Sequence, residues 1–126
     1  ILEKKITADL KIPISKINLD LAKKIESIAP FGIGNPQPVF YSEAVIFDAK
    51  IFGKKNEHLK IWVKDENLSS NLKFQISNCL ELIAFNQSSL FSSLSRNQKI
   101  KIVYTIEIDR WGDKEKIRGR TIKIIK

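Results

Sequence analysis

The chain has 126 residues, 43% of them hydrophobic and 29% charged, and its 22 Lys and Arg against 14 Asp and Glu leave a net charge of +8. That length suits one domain, or one domain plus a piece of another, with a modest core. No apolar run approaches the ~20 residues that would span a bilayer, and no signal-peptide pattern opens the chain.

The single cysteine, Cys79, excludes an internal disulfide and is compatible with a reducing compartment. It borders the apolar run Leu80–Phe85, which favours a small structural thiol over a nucleophile. The chain begins at Ile1 and contains no Met, so it is expected to be a piece of a longer protein. The basic balance fits a polyanionic partner. AT-rich coding, which favours Ile, Lys and Asn, would give the same balance, so the placement of the charges has to decide.

In chain order, residues 5–12 alternate and predict a strand that Pro13 ends. Asn18 is a candidate N-cap, with Asp20 in the first helical turn. Leu19, Leu21, Ile25 and Ile28 then recur as the apolar side of a helix of about ten residues, which Pro30 closes. A strand and a helix are too little for a domain, so residues 1–29 are expected to be the tail of a preceding α/β one. Residues 30–40, Pro-Phe-Gly-Ile-Gly-Asn-Pro-Gln-Pro-Val-Phe, cannot form a helix or a central strand. Gly32 and Gly34 allow backbone angles closed to other residues. Pro30, Pro36 and Pro38 stiffen the segment, and Phe31 and Phe40 bracket it with large apolar groups. It is expected to be a structured junction fixing the angle between two domains.

Five strand-like runs follow. Ala44–Phe52 places Val45, Phe47, Ala49 and Ile51 on one face, and Gly53–Asn56 is a turn signal. His58–Lys64 turns Leu59, Ile61 and Val63 one way and His58, Lys60, Trp62 and Lys64 the other. Residues 65–77 are polar and loop-like, although Leu72, Phe74 and Ile76 permit a short extra strand. Asn78–Phe85 is the third strand. Gln87–Leu94 reads as a short helix burying Leu90, Phe91 and Leu94. Ile100–Asp109 points Ile100, Ile102, Tyr104, Ile106 and Ile108 inward, Gly112-Asp113 marks a hairpin, and Lys116–Ile125 completes the set. The order β-β-β-α-β-β over residues 41–126 matches a mainly β, five-stranded OB-fold barrel with one helix between strands three and four. An open β-sandwich with a capping helix is the alternative.

Catalytic chemistry is hard to find. The one His and the scattered Asp residues form no metal-binding cluster, and no nucleotide, nucleophile-elbow or zinc motif occurs. Binding chemistry is better represented. Lys60 and Lys64 flank Trp62 on one strand face, an arrangement suited to phosphates and a stacked base. The alternative is a tryptophan shielded by a loop. Arg110, Trp111, Lys114, Lys116, Arg118 and Arg120 cluster around the last hairpin, and Lys54 and Lys55 lie in the first turn. In an OB barrel these two loops border the binding groove, so they are expected to converge. Trp111 stacks on a base or covers the barrel end. His58 touches nucleic acid or packs as an ordinary sheet residue.

Pro30-Phe31-Gly32, Gly34-Asn35-Pro36, Pro38 and Phe40 together resemble the junction motif near the C-terminus of RecJ-type single-strand-specific DNA exonucleases, with His58-Leu59-Lys60 and Ala84-Phe85-Asn86 agreeing in order and spacing. The resemblance covers nearly the whole chain. It implies an OB domain following the second catalytic-core domain of a bacterial, cytoplasmic, nucleoid-associated enzyme. That enzyme would digest single-stranded DNA from the 5′ end with Mn or Mg in recombination and repair. The metal ligands would lie upstream, leaving none here and no catalytic residue. The implied partners are single-stranded DNA and a single-strand-binding protein or helicase, with no membrane. Docking a repair partner, or a purely structural clamp, is the alternative role.

Overall fold

The computed structural model describes residues 10–32, 34, 36–66 and 79–126. The expected strand at residues 5–12 survives there as β1 (Leu10–Lys11), and Leu72, Phe74, Ile76 and Asn35 lie outside the described residues. A 3-10 turn (Ile14–Lys16) and α1 (Leu19–Ser27) follow. Asn18 caps α1, its Oδ1 accepting the Leu21 amide at 2.9 Å. The helix buries Ala22 and Ile25, while Ile28, expected on the same stripe, is exposed at the C-cap. Its amide turns back onto Ile25 and Glu26 there, ending the 3.6-residue period one step early.

Five long strands close the barrel: β2 (Phe40–Phe52), β3 (His58–Lys64), β4 (Leu80–Ala84), β5 (Lys99–Trp111) and β6 (Lys114–Ile125). β2 pairs with both β3 and β5, and β4 runs parallel to β6, which is the closure of an OB fold. Period-2 alternation fills the interior. Leu59, Ile61 and Val63 from β3, Leu82 from β4, and Ile102 and Tyr104 from β5 are wholly inaccessible.

Two expectations need correction. β2 begins at Phe40, four residues early, because Phe40 packs its ring 6.0 Å from that of Tyr104 and is itself core. A bulge between Ile46 and Asp48 then flips the alternation. Phe40, Ser42, Ala44 and Ile46 face in before it, so Val45 and Phe47 lie outside the core cluster, while Ala49 beyond the bulge packs against it. The element between β4 and β5 is a 3-10 turn (Ser88–Ser93) that leaves Phe91 exposed and packs only Leu90 and Leu94 inward.

Residues 14–25, expected to close a preceding domain, put Ile14, Ile17, Ala22 and Ile25 into the barrel's own core. Asp65, just past β3, holds this segment: its carboxylate accepts the Ile14 amide at 2.6 Å and the Ser15 amide at 2.9 Å. In the 30–40 stretch Phe31 packs against the same core, the Ala29–Pro30 peptide is cis, and Gly32, Gly34 and Pro36 are exposed. Neither Gly32 nor Gly34 uses a left-handed conformation; Gly53 (φ 105°) and Gly112 (φ 58°), in the two hairpin turns, do.

Ser42 Oγ donates its one proton to the Ile12 carbonyl at 2.5 Å, so the buried Tyr104 hydroxyl is the donor in their 2.7 Å contact. Burial pushes the Tyr104 phenol from its ordinary 10 up to about 12, with the Ser42 hydrogen bond opposing and the Asp65 charge adding. The folded state therefore holds this proton more tightly than the unfolded chain. Its contribution is complete below about pH 10 and is lost as pH rises towards 12, amounting to about 2–3 kcal/mol. Urea unfolding at rising pH should show that loss in the native chain. Tyr104→Phe should lack this component, and an unchanged slope in the variant would refute the assignment.

Candidate nucleic-acid interface

The sheet formed by β2, β3, β4 and β6 turns a second set of side chains away from the core. Across it, Lys50 pairs with Lys60, Lys60 with Ile83 and Ile83 with Arg120. One step along, Asp48, Trp62, Glu81 and Arg118 form the next row. Rings and cations interleave on this face. Lys60 Nζ lies 5.2 Å from the Phe52 ring centroid and 5.9 Å from that of Trp62, and the Arg120 guanidinium lies 4.8 Å from Phe85. Trp62 is half-buried and Phe85 is exposed.

The two loops stand at opposite ends of this face and do not meet over one point. The Gly53–Asn56 turn sits beside the start of β3, where the Glu57 carbonyl accepts the Ser88 amide. The β5–β6 hairpin tip sits beside the other end, where Trp111 and Lys114 share a cleft with Trp62 and Leu80. At ~3.3 Å per residue the length of β3 puts roughly 20 Å between them.

The basic residues are also less free than their spacing implies. Arg110 is committed to acids: Nη1 and Nη2 donate to the two Glu26 oxygens at 2.7 and 2.6 Å, and Nε donates to Glu115 at 2.9 Å. Lys23 joins Glu115 at 3.3 Å. Arg110 holds the Glu26 carboxyl below its usual range, and Arg110 followed by Lys23 does the same for Glu115. Lys116 donates to Glu81 at 2.8 Å, Arg118 lies between Glu107 and Asp109 at 3.4 and 3.6 Å, and Arg120 lies 3.2 Å from Glu107. Among the described residues Lys54, Lys55 and Lys114 form no ion pair, and all three are exposed.

His58 is a packed sheet residue. Its Nδ1 accepts the Asn86 amide at 3.0 Å, its Nε2 lies 3.0 Å from Glu57, and its ring sits between Phe52 and Phe85 at 5.3 and 5.1 Å. Trp111 is 48% exposed at the hairpin tip and covers no barrel end. Lys64 lies over Phe47, 5.9 Å from its centroid. Cys79 is half-buried, and burial pushes its thiol up to about 11 against the pull of Lys64, which fits a structural role.

Sequence reasoning did not place Lys50, Phe52, Glu81 and Phe85 in the interface. The signal was available: positions 81, 83 and 85 share the outward parity of β4, but the apolar run Leu82–Phe85 hides it. No group of three or more His, Cys, Asp or Glu among the described residues could hold a metal ion, so these residues do not fit a Mn or Mg site. None of the described helices is long and apolar enough to cross a membrane.

Residues 8–122 match the family described as the RecJ OB domain. The chain is 26% identical over 109 residues to the single-stranded-DNA-specific exonuclease RecJ of Bacillus subtilis (strain 168), covering 86% of this chain and 13% of that protein. It is 30% identical over 107 residues to that of Haemophilus influenzae, covering 84% and 17%. The crystal structure of RecJ in complex with Mn2+ from Thermus thermophilus superposes with a TM-score of 0.63 at 16% identity, over 91% of this chain and 15% of that one. The chain thus spans a small part of the curated proteins it matches, and with its closed five-stranded barrel it belongs to the RecJ OB-domain family.

Proposed function

We propose that this chain grips single-stranded DNA on the outer face of β2, β3, β4 and β6. The larger protein would be a RecJ-type 5′→3′ exonuclease acting in recombination and repair in the bacterial cytoplasm. The observation that carries this reading is the alternation of rings and cations over Phe52, Lys60, Trp62, Phe85 and Arg120 on a single accessible face. Stacking on such rings tolerates any base, and free ammonium groups supply phosphate contacts. Lys54 and Lys55 at one end and Lys114 at the other, which form no ion pair among the described residues, are cations that a strand crossing the face would meet. Arg110 and Arg118 act mainly by holding the surface in shape, and His58 by anchoring the β3–β4 edge. The divalent metal and its ligands belong to the upstream catalytic domains. The 30–40 segment serves as a stiff junction towards them.

The test is titration of a fluorescent oligothymidine with the chain at several salt concentrations. Affinity should fall log-linearly with salt, by about 0.7 in slope for each phosphate contacted. Replacing Lys54, Lys55 and Lys114 together by Gln should flatten that slope by about two. A response indifferent to salt would sink the DNA reading and favour docking of a repair partner such as a single-strand-binding protein.

A further inference from the structure

One wall of the cleft at the hairpin end comes from the segment Ile14–Leu19 and the other from the hairpin itself, and the cleft encloses about 820 Å³. Trp62 and Trp111 both line it, with Lys114 and Lys116 beside them and Glu81 at the β4 side. Glu81 is the unusual member. It is 6% exposed, on the outward face of a strand, and its Oε1 accepts from Lys116 at 2.8 Å and lies 3.9 Å from Lys60. Among the described residues nothing donates to Oε2. A carboxylate accepts several hydrogen bonds, so Oε2 keeps capacity for a donor supplied by a ligand.

We infer that this cleft is a base-reading pocket that prefers guanine, with the two indoles flanking the base and the Glu81–Lys116 pair reading its edge. This deepens the single-stranded DNA reading and rests on it. The hydrogen-bonding pattern selects the base. The Watson–Crick edge of guanine presents two adjacent donors, the amino group and the ring N–H, followed by a carbonyl acceptor. A carboxylate beside an ammonium presents acceptors followed by a donor, which is its complement. Thymine offers one donor between two carbonyls, so any approach to Glu81 sets an oxygen against the carboxylate. Cytosine and adenine supply one amino donor next to an acceptor nitrogen and match in part. Glu81 would thus superimpose a base preference on a surface otherwise indifferent to sequence. Lys114, with no acid partner among the described residues, is placed for the adjoining phosphate.

The experiment compares anisotropy titrations of a short oligothymidine and of the same strand carrying one central dG. The guanine-bearing strand should bind roughly tenfold tighter to the native chain. In Glu81→Gln, whose side chain keeps the size but loses one acceptor and the charge, the ratio should fall to near one. Equal binding of the two strands by the native chain, with steep salt dependence retained, overturns the pocket and leaves the DNA-binding face standing. A guanine preference that survives in Glu81→Gln also overturns it. Salt-insensitive binding, or no binding, of both strands overturns the underlying reading and the pocket with it. The native-chain ratio decides the matter even if the variant folds poorly.

Discussion

Gly119→Ala should destabilise the chain by about 2–3 kcal/mol, and Gly119→Val by more. Gly119 lies on the inward parity of β6, opposite Leu82 on one side and Ile106 on the other. A Cβ there would fall on Leu82 Cδ2 and within 3.4 Å of both the Tyr104 ring and the Thr105 carbonyl oxygen. Its backbone needs no special φ, so the cost is steric. Leu82 and Tyr104 are both fully enclosed, leaving neither anywhere to move without opening the barrel. A thermal melt should register the alanine variant about 10 °C below the native chain. A difference of a degree or less would mean that the barrel relaxes at this point and that the close approach of β6 to β4 is unimportant.

Trp62→Ala and Trp111→Ala should each weaken oligothymidine binding by about 1–3 kcal/mol, or roughly fivefold to over a hundredfold. The two indoles come from strands far apart in sequence but border one cleft, so a shared strand or base would couple them. The double variant should then lose less than the sum of the single losses, by at least about 0.5 kcal/mol. Trp62→Phe, which keeps a flat ring beside Lys60, should retain most of the affinity and separates stacking from loss of fold. Full affinity in both alanine variants would remove the tryptophans from the binding surface and leave the stacking role to Phe52 and Phe85.

Much of the barrel was legible because its signals are local. Five strand-like runs, alternating most clearly in β3 and β5, an Asn18 cap, and turns at Gly53 and Gly112 define the order of elements without reference to anything distant. The inward face of β5 could be read directly from alternating Ile and Tyr. Features created by contacts between distant residues were hidden. The bulge at Phe47 exists because β2 must serve two neighbours, β5 along its first half and β3 along its second. The early start of β2 depends on Tyr104, and the docking of residues 14–25 depends on Asp65 and on the barrel core. The candidate interface was half legible for the same reason. Trp62 and Lys60 are neighbours on one strand, so their shared face follows from alternation. Arg110 reads as a free cation in the sequence because Glu26 is 84 residues away, and Glu81 reads as an ordinary strand residue because Lys116 reaches it across a parallel pairing.

Both mouths of the barrel are stoppered. Ile14 and Ile17 seat at the end of β3 held by Asp65, and Leu90 and Leu94 seat at the opposite end beside Glu57. The cylinder consequently has no lumen, and a polymer cannot thread it. A strand held as proposed therefore lies against the outside wall of the cylinder.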